Sequence, residues 1–420
     1  LARSLGIQVI WQDLALFPHL SVAENIAFER NLGAWPHWVR AKSFRDMAAA
    51  SVARIGFDLD LDQTLGELSI ARRQLVAICR ALVADARIVF MDEPTASLTK
   101  AETDALFRVV DTLSNDGIAV VFVSHRLAEV MAIAERVTIL RDGRRVGCFA
   151  SNEISQRELA AHMTGQTFDD EVLEADHDAA PAVIETRELG RRGEYEDVTL
   201  QVRAGEVLGI TGLLGAGRTE LASTLFGLTR PDHGQILLDG EPLQLGSNRD
   251  AIAKGIAYVS EDRLTLGLIE EQSIADNTVI SVLDRLTNRL GMIDRAKKDV
   301  LVRDWIGRLA IRIGVPSDPV KTLSGGNQQR VVLSKWLATE PRVLILDTPT
   351  VGVDVGARAG IFEIVRSLAA DGKAIILISD EIPEVYFHAD RVLHMKDGRM
   401  IGEYLPQATS IDAIERAVHG

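Results

Sequence analysis

The chain repeats itself. Asp92, His125 and Gly143 match Asp347, Asp380 and Gly398 at a constant spacing of 255 residues, and Ser69 matches Ser324 at the same spacing. Gln12 matches Glu261 at 249, so six residues are inserted in the second copy between its first two landmarks and the rest stays in register. A sequence that recurs at this length encodes one domain-sized unit used twice, and 420 residues exceed what a single core usually organises. Two modules are therefore expected, residues 1–165 and 183–420. They are joined by an acidic, Ala- and Pro-containing linker at 166–182 that has no apolar periodicity.

The copies differ in length. Glu261 lies 78 residues beyond Val183 whereas Gln12 lies 11 beyond Leu1, so by internal comparison about 67 residues of the first module are missing. With Leu1 rather than Met at the first position, the chain is expected to be a fragment.

Short apolar runs, ARIVFMDE, IAVVFVSH, RVLILDT and KAIILIS, have the composition of strands buried on both faces. The segments between them, AETDALFRVVDTLSND and GARAGIFEIVRSLAAD, carry apolar residues at helical spacing. Alternation of this kind predicts an α/β fold with a mostly parallel core sheet in each module. TILRDGRRVG, LHMKDGRMIG and QILLDGEPLQL each place Asp-Gly between apolar alternations, which predicts antiparallel ribbons in addition.

Charge and cysteine content narrow the function. A formal net charge of -14 repels polyphosphate backbones and argues against a general nucleic-acid binder. Cys79 and Cys148 are too few and too isolated for a disulfide framework or a zinc cage. No apolar stretch approaches the roughly 18 residues a spanning helix needs, so contact with a membrane would require a partner.

GEVLGITGLLGAGRTELASTL, residues 205–225, reads as a buried strand, a glycine-rich turn and a helix start. Gly212, Gly217, Arg218 and Thr219 fit the phosphate-loop pattern except that Arg218 replaces its lysine. Glycines at 212, 215 and 217 let the backbone aim its N–H groups at phosphate oxygens, and Thr219 is placed to ligate Mg2+. Asp92 and Asp347 end apolar strands, where a carboxylate holds Mg2+ through water. The next residue decides the chemistry. Glu93 can orient and deprotonate a water, and Thr348 cannot at neutral pH, which separates a hydrolytic site from a slow or inactive one.

LSGGNQQRVVLSKWL at 323–337, with the phosphate loop upstream and the Asp strand downstream, resembles the signature of ATP-binding-cassette ATPases. Together with GLLGAGRTE, YVSEDR and DVGA it resembles the tandem ATPase subunits of bacterial importers of ribose, galactose and xylose, and LSIARRQLVAICRAL at 68–82 looks like the weaker first signature of that group. The resemblance implies two P-loop NTPase nucleotide-binding domains in tandem, each with a helical subdomain, the first incomplete. It also implies ATP and Mg2+ as cofactors, two transmembrane permease subunits as partners and a periplasmic sugar-binding protein as an indirect one. The implied location is the cytoplasmic face of the inner membrane.

In that family each ATP lies between the phosphate loop of one cassette and the signature of the other. The resemblance thus groups Gln12, Asp92, Glu93 and His125 with Ser324, Gly325, Gly326, Asn327 and Asp354 as a competent site, in which Gln12 serves catalysis and the metal. It groups Arg218, Glu261, Asp347, Thr348 and Asp380 with Ser69, Ile70, Ala71, Arg72 and Thr99 as a degenerate one. Departures from the family pattern gather in the second group, which predicts functional asymmetry. The phosphate loop of the competent site would lie upstream of Leu1, so this polypeptide alone is expected to hydrolyse little or no ATP. Tyr195 is read either as an adenine-stacking or as a packing residue, and Trp35 and Trp38 either as a docking rim or as loop packing. A soluble tandem ATPase acting on ribosomes is the alternative, disfavoured by Thr348 and by the short acidic linker.

Overall fold

A computed structural model describes residues 2–31, 41–95, 98, 100–124, 126–141, 143–164, 177, 180–288 and 290–419. His125, Thr99, Trp35, Trp38 and most of 166–182 lie outside the described residues. The chain divides into two compact units, Leu1–Thr167 and Phe168–Gly420.

In the first unit β1 (Ile7–Ile10) leads into α1 (Val22–Asn31), α2 (Ala41–Ile55) and α3 (Ile70–Val83), followed by β2 (Ile88–Asp92), α4 (Lys100–Asn115), β3 (Ala119–Val123) and α5 (Leu127–Ile133). β1, β2 and β3 form a parallel sheet in that order. β4 (Arg136–Arg141) and β5 (Arg144–Ala150) pair separately as an antiparallel ribbon, and α6 (Gln156–Thr164) follows.

The second unit opens with β6 (Ala182–Arg191), β7 (Tyr195–Arg203), β8 (Val207–Thr211), α7 (Arg218–Leu225), β9 (His233–Leu238), β10 (Glu241–Leu243) and α8 (Asn248–Ala253). It continues through β11 (Ile256–Val259), α9 (Ile274–Val279), α10 (Arg295–Arg308), α11 (Gly325–Leu337), β12 (Val343–Asp347), α12 (Val355–Ala370), β13 (Ala374–Ile378), α13 (Ile382–His388), β14 (Arg391–Lys396), β15 (Arg399–Tyr404) and α14 (Ile411–His419). A six-stranded sheet runs in the order β11-β12-β13-β8-β14-β15, parallel except for the final hairpin, and a four-stranded antiparallel sheet runs β10-β9-β6-β7. The predicted fold class holds, including all three Asp-Gly ribbons.

Alternation along the central strands builds two cores. Ala257, Leu344, Leu346, Ile375 and Leu377 point to the face covered by α9, α11 and α12. Tyr258, Ile345, Ile376 and Ile378 point to the opposite face, where Leu221 and Leu225 of α7, Phe226 just after it, and Leu189, Val198 and Leu200 of the antiparallel sheet cover them. Burial on both faces is therefore complete in β12 and β13, as their continuous apolar runs predict.

The first unit departs from that expectation. Val89 and Met91 are buried, but Phe90, Val121 and Val123 on the other face are 37%, 39% and 48% exposed. Among the described residues of this unit no layer corresponds to α7 and the antiparallel sheet, so only one face of β2 and β3 is covered. An apolar run of five records the capacity for burial, and the covering layer decides whether it is used.

The six inserted residues also prove to be divided. Asn25 and Asn277 make matching hydrogen bonds at a spacing of 252, between the 249 of Gln12 and Glu261 and the 255 of Ser69 and Ser324. Three of the extra residues thus fall before α9, in the wide turn at Arg263–Gly267 that Gly267 N–H closes on the Asp262 carbonyl.

Candidate nucleotide site

The phosphate loop of the second unit connects the buried β8 to α7. Gly212 and Gly217 carry φ of +156° and +100°. A Cβ at Gly212 would lie 2.1 Å from the Met395 carbonyl oxygen and one at Gly217 would lie 2.6 Å from that of Glu194, so no other residue fits either position. The loop leaves Gly215 in open space and delivers Arg218 and Thr219 into the first turn of α7.

Arg218 is 8% exposed, and its Nη1 has no hydrogen-bond partner. The Thr211 hydroxyl at the end of β8 is likewise buried and unpaired. A buried guanidinium nitrogen without an acceptor fits an anion seat, and the glycine loop supplies the space.

Asp347 ends β12 at 1% exposure. Tyr258 on β11 donates a 2.9 Å hydrogen bond to its Oδ2, and the Thr219 hydroxyl also bonds to the carboxylate. Burial raises the Asp347 pKa, opposed by these two donors and by the Arg218 charge. Glu261 is raised as well, by burial and then by the charges of Asp347 and Asp380, again with Arg218 opposing. The fold thus gathers Arg218, Thr219, Glu261, Asp347 and Asp380 into one electrostatic cluster around the loop.

No group of three or more His, Cys, Asp or Glu side chains arranged to hold a metal occurs among the described residues. A carboxylate and a threonine hydroxyl beside a phosphate loop still fit Mg2+, which takes few protein ligands and completes its shell from water and phosphate. Beside the loop a cleft of about 820 Å3 is lined by Arg191, Arg192, Glu194, Asp232, His233 and Gly215. Tyr195 also borders this cleft, but at 3% exposure, with its hydroxyl donating 2.7 Å to the Thr224 hydroxyl, it packs as a core residue.

In the first unit Gln12 and Asp92 line a single cleft with Trp11, Asp13 and Ala15. Glu93 has φ +45° and its N–H donates 2.9 Å to the Val123 carbonyl; Thr348 has φ +47° and its N–H donates 2.8 Å to Ile378. Behind each, a threonine two residues on donates to a glutamate of the helix that follows the neighbouring strand, Thr95 to Glu129 of α5 and Thr350 to Glu384 of α13.

The signature helices start alike. Ser69 caps α3 at φ -62° and ψ 158°, and Ser324 precedes α11 at φ -63° and ψ 156°. Asn327 donates 3.0 Å to the Ser324 hydroxyl and accepts 2.8 Å from the Arg312 N–H. Asp354 caps α12 by accepting 3.0 Å from Ala357 N–H.

A family model described as ABC transporter matches residues 2–96 and 195–351. The chain belongs to the ABC transporter family. It is 44% identical over 423 residues to the ribose import ATP-binding protein RbsA 2 of Rubrobacter xylanophilus, covering 100% of this chain and 81% of that protein. It is 43% identical to RbsA 1 of Streptomyces coelicolor, covering 99% of this chain and 82% of that one. It is 41% identical to a putative ribose/galactose/methyl galactoside import ATP-binding protein of Burkholderia cenocepacia, covering 100% of this chain and 82% of the relative. As an ABC protein it is an ATPase subunit that uses ATP with Mg2+.

Sequence reasoning passed over Tyr258, Asn25 and Asn277. The two asparagines carried a usable signal, since they recur between the copies; Tyr258 carried none, because its partner is 89 residues away.

Proposed function

We propose that this chain is the energy-coupling subunit of a monosaccharide importer, and that only the nucleotide site containing Glu93 is built to hydrolyse. Its relatives are named as ribose import ATP-binding proteins. The observation that carries the asymmetry is the matched backbone of Glu93 and Thr348. A carboxylate and a hydroxyl are held in the same place by the same turn, so the difference between them is chemical.

In the competent site Glu93 and His125 act with Ser324, Gly325, Gly326 and Asp354, an arrangement supported by the family resemblance. Glu93 orients a water and accepts its proton, and Gln12 and Asp92, which line one cleft, would hold Mg2+. Mg2+, when bound, would supply charge neutralisation at the phosphoryl oxygens. In the other site Arg218 and the loop N–H groups bind phosphate. Glu261 and Asp380 add negative charge there, and Thr348 supplies no base.

No helix among the described residues is long and apolar enough to cross a membrane. Two permease subunits would provide the membrane path at the cytoplasmic face, with a periplasmic sugar-binding protein acting indirectly. Purification in detergent tests this: co-purifying membrane permeases are expected with this chain, and ATP hydrolysis stimulated by ribose-loaded binding protein is expected once the first module is complete. Co-purification with ribosomal particles would overturn it in favour of the alternative.

A further inference from the structure

The loop that carries Glu261 is tied to the signature helix by a buried cation. Lys335, in the third turn of α11, is 6% exposed, and its ammonium donates 2.6 Å to the carbonyl of Gly267. The first unit repeats the arrangement with a different residue. Arg80 of α3 is 9% exposed and donates 2.8 Å to the carbonyl of Ala15 and 3.1 Å to that of Leu14. Lys335 and Arg80 stand 255 residues apart, whereas Gly267 and Ala15 stand 252 apart, the spacing of this stretch of the loop. The cation and its acceptor are therefore both preserved across an insertion and a change of residue type.

The far side of each loop is fixed as well. Asn277 donates to the carbonyls of Ile269 and Ser273 at 3.0 Å and accepts 2.8 Å from Ile269 N–H; Asn25 makes the same set with Phe17 and Ser21. In the second unit the near side is held too. The Arg263 guanidinium donates 3.2 Å to the Val351 carbonyl and approaches to 3.4 Å of where a Gly325 Cβ would stand. A loop pinned at both flanks, with a buried ammonium in contact with its carbonyl, moves as one body with the helix that supplies the ammonium.

We infer that Lys335, and Arg80 in the first unit, are positioning residues that lock the loop following Glu261 or Gln12 to the signature helix, so that a nucleotide bound at the loop is felt at the helix start. This rests on the nucleotide-site reading above. The Lys335 ammonium meets a backbone carbonyl, that of Gly267, and lies 4.7 Å from the centroid of the Trp336 ring, so its role is mechanical.

Hydrogen exchange on the 420-residue chain, titrated with magnesium adenylyl imidodiphosphate, tests it. In the wild type, protection at 261–268 and 325–332 is expected to rise over the same nucleotide range. Lys335→Met should keep the response at 261–268 while the change at 325–332 falls at least threefold, and Lys335→Arg should restore it. An unchanged response at 325–332 in Lys335→Met would overturn the inference. If that variant does not fold, the wild type decides: midpoints for the two segments more than tenfold apart also overturn it. Protection at the phosphate loop without any at 325–332 would sink this inference alone. No nucleotide-dependent protection anywhere would sink the site reading and this inference with it.

Discussion

The hydroxyl of Tyr258 and the Oδ2 of Asp347 are joined by a 2.9 Å hydrogen bond within the core between β11 and β12. Both residues are at most 5% exposed, so neither can turn to water without opening the sheet. The bond fixes one carboxylate oxygen and helps keep a buried acid ionised. Tyr258→Phe removes the donor and leaves the ring. We expect a loss of about 1–3 kcal/mol in stability, and Mg·ATP affinity lower by roughly fivefold. Calorimetric titration of the wild type and the variant would check this; equal affinities would contradict it.

Glu93 and Thr348 share a left-handed backbone, so substitutions at the two positions can be compared without a difference in strain. In a transporter assembled with a complete first module, Glu93→Gln should lower kcat on the order of 10²- to 10⁴-fold, the scale of general-base assistance. Thr348→Ala should change it by less than about twofold, since the wild-type residue supplies no base. Comparable losses from the two variants would refute the asymmetry.

Asn25 and Asn277 are 0% and 1% exposed and each satisfies several loop backbone groups. Asn277→Ala leaves an N–H and carbonyls buried without partners, a cost of about 2–4 kcal/mol. Asn277→Asp should fare no better, because a carboxylate keeps the acceptor but faces carbonyls where donors stood. Urea midpoints at constant slope measure both.

His388 stacks on Phe362 at 3.8 Å and accepts from the Arg366 guanidinium at 3.1 Å. Burial first, then the charges of Arg366 and Arg358, push its pKa down to about 3. The unfolded chain, with an ordinary histidine near 6.5, therefore binds a proton that the folded chain refuses between pH 3 and 6.5. This group favours folding fully above 6.5 and progressively less as pH falls. Between pH 7 and 4.5 it should remove roughly 2–3 kcal/mol of stability. His388→Phe, which keeps the stack, should flatten that slope by about one proton, readable from denaturant midpoints at the two pH values.

The phosphate loop, the Asp-terminated strands and the signature starts were legible because each depends on local geometry. A glycine at 217 or a serine at 324 is required by the turn in which it sits, and its neighbours in sequence announce that turn. The repeat was legible for a related reason, since one fold imposes one order of residues. Burial of β2 and β3 was not. Phe90 and Val121 are apolar strand residues just as Ile345 and Ile376 are, yet the first pair is partly exposed and the second is buried.

Sequence alone determined the strand and helix order, the Asp-Gly hairpins and the identity of the residue after each strand-ending aspartate. These follow from side-chain periodicity, backbone preference and the chemistry of single groups. Tertiary structure decided that Tyr195 packs inward on Thr224, that Tyr258 holds Asp347, and that Lys335 and Arg80 each reach a loop carbonyl. Each of those pairs joins residues far apart in the chain and exists only because neighbouring layers bring them within hydrogen-bond distance. No local pattern encodes which distant acceptor a buried donor will meet.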